Sequence, residues 1–185
     1  MHKKLIKKEP TKVDFKELHN LCFISKKEIY NSTYQEKGKT KHLLDKFSSR
    51  LGEIDEMPFI GYVGTNYSNH STQIVFVSRA EIDSTNEDDE LYTNLYESFM
   101  QFKNSTSNLE SAYRRYADTY KEHILNSSCS SYLNHFFKET DLTIDDVAFV
   151  NAVPFKCLDN PSKKLYKPSI KDFTSRFFNI VQADW

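Results

Sequence analysis

Asn151 interrupts an apolar, β-branched run, Val147-Ala148-Phe149-Val150-Asn151-Ala152-Val153, immediately before Pro154. A primary amide donates and accepts together, and the Watson–Crick edge of a pyrimidine asks for both. The same amide could equally satisfy backbone groups at a strand end, and the residue alone does not choose. A second candidate is the glycine-punctuated stretch Pro58-Phe59-Ile60-Gly61-Tyr62-Val63-Gly64-Thr65-Asn66-Tyr67. Its backbone N–H groups could cradle a phosphate, with Tyr67 stacked on a base; the structural alternative is a turn with Asn66 in the left-handed region. Glu81 and Asp83 follow the run Thr72-Gln73-Ile74-Val75-Phe76-Val77-Ser78. A carboxylate there could orient or deprotonate water, or stabilise a cationic sugar. It could also be N-terminal helix charge, with Asp83 or Ser84 as the cap. Arg79, in the same turn, could contact a phosphate or pair with the acidic stretch Glu81–Glu90.

These residues need elements to hold them. Val13, Phe15, Leu18, Leu21, Cys22 and Ile29 suit one helix face, and Leu43, Leu44, Phe47 and Leu51 another, over Lys41 to Leu51 and closed by Gly52. The stretch from Pro58 to Tyr67 reads as a loop with unusual backbone angles. Residues 72–78 read as a strand, apolar on both faces as in the centre of a covered sheet. From Glu87 to about Leu125 the spacing of Leu91, Leu95, Phe99 and Phe102, then of Leu109, Ala112, Tyr113, Tyr116 and Tyr120, predicts two helices broken at Asn104–Ser107. A shorter helix, capped by Ser128 or Ser130, reaches Phe137. A second strand spans 147–153, and a last helix runs from Pro168, near its first turn, to Trp185. Strand, helical excursion, strand and helix in that order predict an α/β domain with a mostly parallel central sheet flanked by helices. Ligands of such sheets bind beyond the carboxyl ends of the strands, where Ser78 to Glu81 and Asn151 to Pro154 lie.

The chain has 185 residues, enough for one core, with 14 Phe and 11 Tyr against 4 Gly. Residues 1–11 read as a polar, disorder-prone leader and residues 12–185 as a single α/β domain. The net charge of -1 gives no global attraction to a polyanion, so any phosphate contact must be local. Lysines cluster at the start and again after residue 155, as Lys156, Lys163, Lys164, Lys167 and Lys171, a pattern that solvated surface also produces. Cys22, Cys129 and Cys157 are odd in number and scattered, so neither a disulfide framework nor a metal cluster is expected. The sequence has no phosphate-loop lysine motif, no dinucleotide fingerprint and no nucleophile elbow. With no apolar leader and no membrane-length apolar run, the expected location is the cytoplasm and no membrane partner is expected.

Two stretches together, Ile74-Val75-Phe76-Val77-Ser78-Arg79-Ala80-Glu81 and Phe149-Val150-Asn151-Ala152-Val153-Pro154-Phe155-Lys156-Cys157, resemble the uracil-DNA glycosylase superfamily. The segment from Gly61 to Tyr67 is similar to the loop before the first strand in divergent members. The resemblance covers about half the chain, roughly 58–80 and 145–185. It implies a uracil-DNA-glycosylase-like α/β fold, no cofactor, and single- or double-stranded DNA as partner. Asn151 would read an extruded base, with Tyr67 or Phe155 stacking against it. Lys156 would contact the backbone, with Arg79, Lys163 and Lys164 as further phosphate contacts. Glu81 or Asp83 would support water or the sugar cation. At the catalytic turn the family carries Gly followed by an acid or amide, whereas this sequence reads Ser78-Arg79-Ala80. The family's last motif, a strand and polar loop after a helix like 168–182, would fall beyond Trp185, so the domain is expected either to continue or to lack that part.

The expected function is DNA binding with recognition of a flipped base and, if active, hydrolysis of its N-glycosidic bond. The alternatives are a non-catalytic nucleic-acid-sensing or protein-interaction module on the same fold, and an α/β small-molecule enzyme unrelated to it.

Overall fold

The computed structural model describes residues 12–43, 57–80, 90–157 and 161–183. Helix α1, Phe15–Leu21, starts at Asp14, whose carboxylate accepts from the N–H groups of Lys16 and Glu17. The single helix face expected as far as Ile29 is divided here. The chain leaves α1 at Cys22 and restarts at Ser25, where a reciprocal capping box with Glu28 opens α2, Lys26–Ile29.

Strands β1, Thr33–Glu36, and β2, Lys39–His42, form an antiparallel hairpin. Lys37 and Gly38 turn it with φ of 51° and 73°, the left-handed pair that a two-residue hairpin demands. The helix expected from Lys41 is therefore a strand at Lys41 and His42. Leu43 is already helical, and residues 44–52, Gly52 included, lie outside the described residues.

The central sheet has the order β3-β5-β4, with β3 at Tyr62–Val63, β4 at Val75–Ser78 and β5 at Ala148–Asn151. β4 pairs parallel with β5, as the intervening helical excursion requires, but β3 pairs antiparallel. Among the described residues the sheet is thus mixed rather than mostly parallel. β5 is the buried centre. Among the described strands β4 lies at an edge, with Val77 half exposed, so its two apolar faces do not mark a central position there. One face is covered, where Phe76 packs edge-on against Phe136 at 5.1 Å between ring centroids.

The connection from β4 to β5 contains α3 (Glu90–Lys103), α4 (Leu109–Asn126) and α5 (Ser130–Glu139). Their boundaries fall near the expected ones, but α5 follows Cys129 without a side-chain cap, so neither Ser128 nor Ser130 closes it. α3 and α4 bring Phe99, Phe102, Tyr113, Tyr116 and Tyr120 into one aromatic core with Phe59 and Phe149. Rings of this size bury a large area per residue, and their tilted and edge-on contacts suit the ring quadrupole.

The last helical segment begins earlier than expected. Ser162 caps α6, Lys163–Ser169, and the helix passes through a π-turn at Ile170–Thr174 into α7, Ser175–Val181. Pro168 sits inside α6, not at its start. It has no N–H to donate, and the wider turn follows directly behind it. Ser169 Oγ donates to the Leu165 carbonyl at 2.7 Å in the same stretch. No helix of the described residues is long and apolar enough to cross a membrane.

Candidate functional site

The ladder between β4 and β5 sets Ser78 level with Asn151. It continues past both strands, with Ala152 N donating to Ser78 O at 2.7 Å and Val153 N to Arg79 O at 2.8 Å. The two motif-bearing turns therefore leave the sheet side by side, at the carboxyl ends of parallel neighbours. The Arg79 side chain is exposed there. Glu81 and Asp83 lie outside the described residues.

Asn151 is buried at 1% exposure, and its Nδ2 donates to the Tyr120 hydroxyl at 3.4 Å. Tyr120 belongs to α4, so the amide is held across the core by an element far away in sequence. Sequence reasoning placed Tyr120 on an apolar helix face and gave it no part in the site. The available signal was the spacing of Tyr113, Tyr116 and Tyr120, because hydroxyls on one buried face favour polar neighbours, although the Tyr116 hydroxyl finds none among the described residues. Tyr113 finds the Gly61 carbonyl at 3.2 Å.

The expected stacking residues do not face outward. Tyr67 and Phe155 are both fully buried, so neither ring has a face to offer a base. Tyr67 opens a short 3-10 turn, and Phe155 packs edge-on against Tyr30 at 6.2 Å between centroids. Asn66 is exposed but right-handed, with φ of -98°, and its N–H donates to the Asp145 carbonyl at 2.8 Å rather than pointing at a ligand. The unusual backbone of this stretch is at Gly61 instead, where φ is +90° and a Cβ would overlap the Phe177 ring. Gly64 is needed for a different reason, since a Cβ there would run into the Asp145 backbone.

Of the lysines, half-buried Lys156 holds its ammonium 4.0 Å from the centroid of the Tyr92 ring, a cation–π contact that a phosphate would have to compete with. Lys163 and Lys164 are exposed in the first turn of α6. Lys26, which sequence reasoning passed over, lies 5.7 Å from the Phe155 ring centroid and adds positive charge at the same end of the sheet.

The other end of β5 has a different chemistry. Lys121 Nζ donates to both oxygens of Asp145, at 2.9 and 2.7 Å, and the Tyr62 hydroxyl donates to Oδ1 at 3.1 Å. Burial, reinforced by the Asp145 carboxylate, pushes the Tyr62 phenol well above its usual range. Asp146 accepts from the Thr143 N–H and hydroxyl and meets His70 Nε2 at 2.8 Å. Hydrogen bonds from Thr143, then from His70, lower its pKa to about 2. His70 is thus half-buried and paired.

No family model, no curated protein and no solved structure matches the chain.

Proposed function

We propose that the chain is a DNA-binding domain of uracil-DNA-glycosylase-like type, in which Asn151 recognises an extruded base. What supports this reading is the parallel pairing of Val75–Ser78 with Ala148–Asn151, which puts the ends of the two resembling stretches next to each other. An amide at that place, buried against Tyr120, discriminates between bases by matching donors and acceptors in a medium where a mismatch leaves a buried group unpaired. Lys26 and Lys156 lie at the same end and, with Lys163 and Lys164 in the first turn of α6, would neutralise phosphates. If the turn after Ser78 supplies a carboxylate to water, the reaction is hydrolysis: water attacks the sugar carbon and the base departs with the electrons of the N-glycosidic bond.

A second reading, the same fold as a non-catalytic nucleic-acid-sensing or protein-interaction module, is favoured by one observation. The Asn151 amide is buried and already engaged with Tyr120, so base entry requires that contact to open.

Incubation with labelled single- and double-stranded DNA carrying uracil or modified cytosine, followed by alkali, separates the two. Strand scission that disappears in Asn151→Ala supports the enzyme. Salt-dependent binding without scission supports the module, and neither binding nor scission removes both DNA readings.

A further inference from the structure

We propose that the hairpin β1–β2 is a basic arm that grips the phosphate backbone of the nucleic acid whose base is presented at the carboxyl end of β5. The proposal rests on the DNA-binding reading above and assigns part of its interface to residues that reading does not use. The arm carries Lys37, Lys39 and Lys41 against one acid, Glu36, in a chain whose net charge is -1. Every described side chain from Thr33 to His42 is exposed. Lys39 and Lys41 alternate onto one face of β2, while Lys37 sits in the turn.

The position of its root makes this charge relevant. Leu43 N donates to Ser32 O at 2.9 Å and closes the base of the hairpin. Shortly before β1, the fully buried Tyr30 packs on Phe155, four residues beyond Asn151, and its hydroxyl meets Ser169 Oγ of α6 at 2.8 Å. The arm thus leaves the body near Phe155, just beyond the carboxyl end of β5, and beside Ser169 of α6. Four residues of strand extend roughly 13 Å, about the rise of four successive phosphates along one strand.

A two-stranded ribbon is only marginally stable in water by itself, and this one gains little from burial. Contact with a polyanion would order it. A nucleic acid fits better than a membrane surface, because the tip Glu36-Lys37-Gly38-Lys39-Thr40 has no apolar side chain to insert.

The test is the salt dependence of binding to a labelled unmodified DNA duplex, for the full chain and for Lys37→Gln/Lys39→Gln. Both lysines are exposed, so the variant should fold as the parent does. The slope of log K against log salt is expected to fall in magnitude by about 2, roughly one unit for each phosphate left without its lysine. Lys138→Gln, in the last turn of α5, should leave it unchanged. An unchanged slope in the double variant, with normal binding by the parent, overturns the arm alone. An equal loss in Lys138→Gln overturns it as diffuse charge, and preferential capture by anionic phospholipid vesicles overturns its partner. No salt-dependent DNA binding by the parent removes the DNA reading itself.

Discussion

The two ends of β5 are built from opposite materials. At the amino end, Asp145 and Asp146 gather Lys121, Thr143 and His70 into short, charge-assisted hydrogen bonds, and Tyr62 into a longer one. At the carboxyl end the buried Asn151 amide makes, among the described residues, one long side-chain hydrogen bond, to the Tyr120 hydroxyl. Groups that are fully matched inside the protein have little left to give a ligand. A buried amide with one long contact keeps hydrogen-bonding capacity and loses less when it exchanges partners. The contrast assigns stability to the amino end and, on the DNA-binding reading proposed above, selectivity to the carboxyl end.

The largest effect should come from Gly64→Ala at the amino end, where the added carbon meets the Asp145 backbone and no flexible side chain can yield. A loss of about 3 kcal/mol in urea unfolding is expected; a loss under 1 kcal/mol, roughly what simple accommodation would cost, would mean that the two segments separate easily. Next is Asp146→Asn, at about 1.5 kcal/mol near neutral pH. Because the folded-state pKa of Asp146 is depressed to about 2, its contribution is present above the ordinary carboxylate range and disappears as pH falls through that range towards about 2. The difference between parent and variant should therefore shrink between about pH 5 and about pH 2. A difference that stays constant over that span would show that the carboxylate's charge is not what matters.

Tyr120→Phe should cost about 1 kcal/mol, since Asn151 Nδ2 loses its acceptor while the ring stays in place. If the carboxyl end is selective, the same variant should also change the ratio of affinities for DNA carrying uracil and DNA carrying cytosine. A stability change with an unaltered ratio would make Asn151 a structural amide. The smallest effect belongs to Lys163→Gln/Lys164→Gln. Positive charge in a first helical turn opposes the helix dipole, so stability should rise by a few tenths of a kcal/mol while DNA binding weakens. A drop in stability, read from the thermal midpoint, would place these side chains in the packing instead.

The parts of the fold legible in the sequence were those where one periodic signal dominated. β4 and β5 are apolar runs with turns behind them, and α3 and α4 repeat aromatics at helical spacing. The hairpin was not legible because no described side chain in Thr33–His42 is buried, and no apolar alternation marks it. Only the two-residue turn at Lys37-Gly38 did, and a lysine in the left-handed region is a poor signal. β3 was hidden for the opposite reason. It is a very short strand between glycines, and its partner lies far away along the chain. The edge position of β4 depended on which strands lie beside it, and its own residues do not encode that.

At the site, the juxtaposition of Ser78 and Asn151 followed from the order of elements. The burial of Tyr67 and Phe155 did not, because a ring in a loop looks the same in sequence whether it faces solvent or the core.

The π-turn between α6 and α7 acts as a phase shifter. One additional residue in a turn rotates everything after it by about 100° relative to an unbroken helix. That rotation is what lets Leu165 and Ser169 on one side of it, and Phe177, Phe178 and Val181 on the other, all face the same core. Deleting a single residue within Ile170–Thr174 would barely shorten the helix. It would instead re-aim the whole of α7, taking the Phe177 ring off Gly61 and away from the segment that flanks β5.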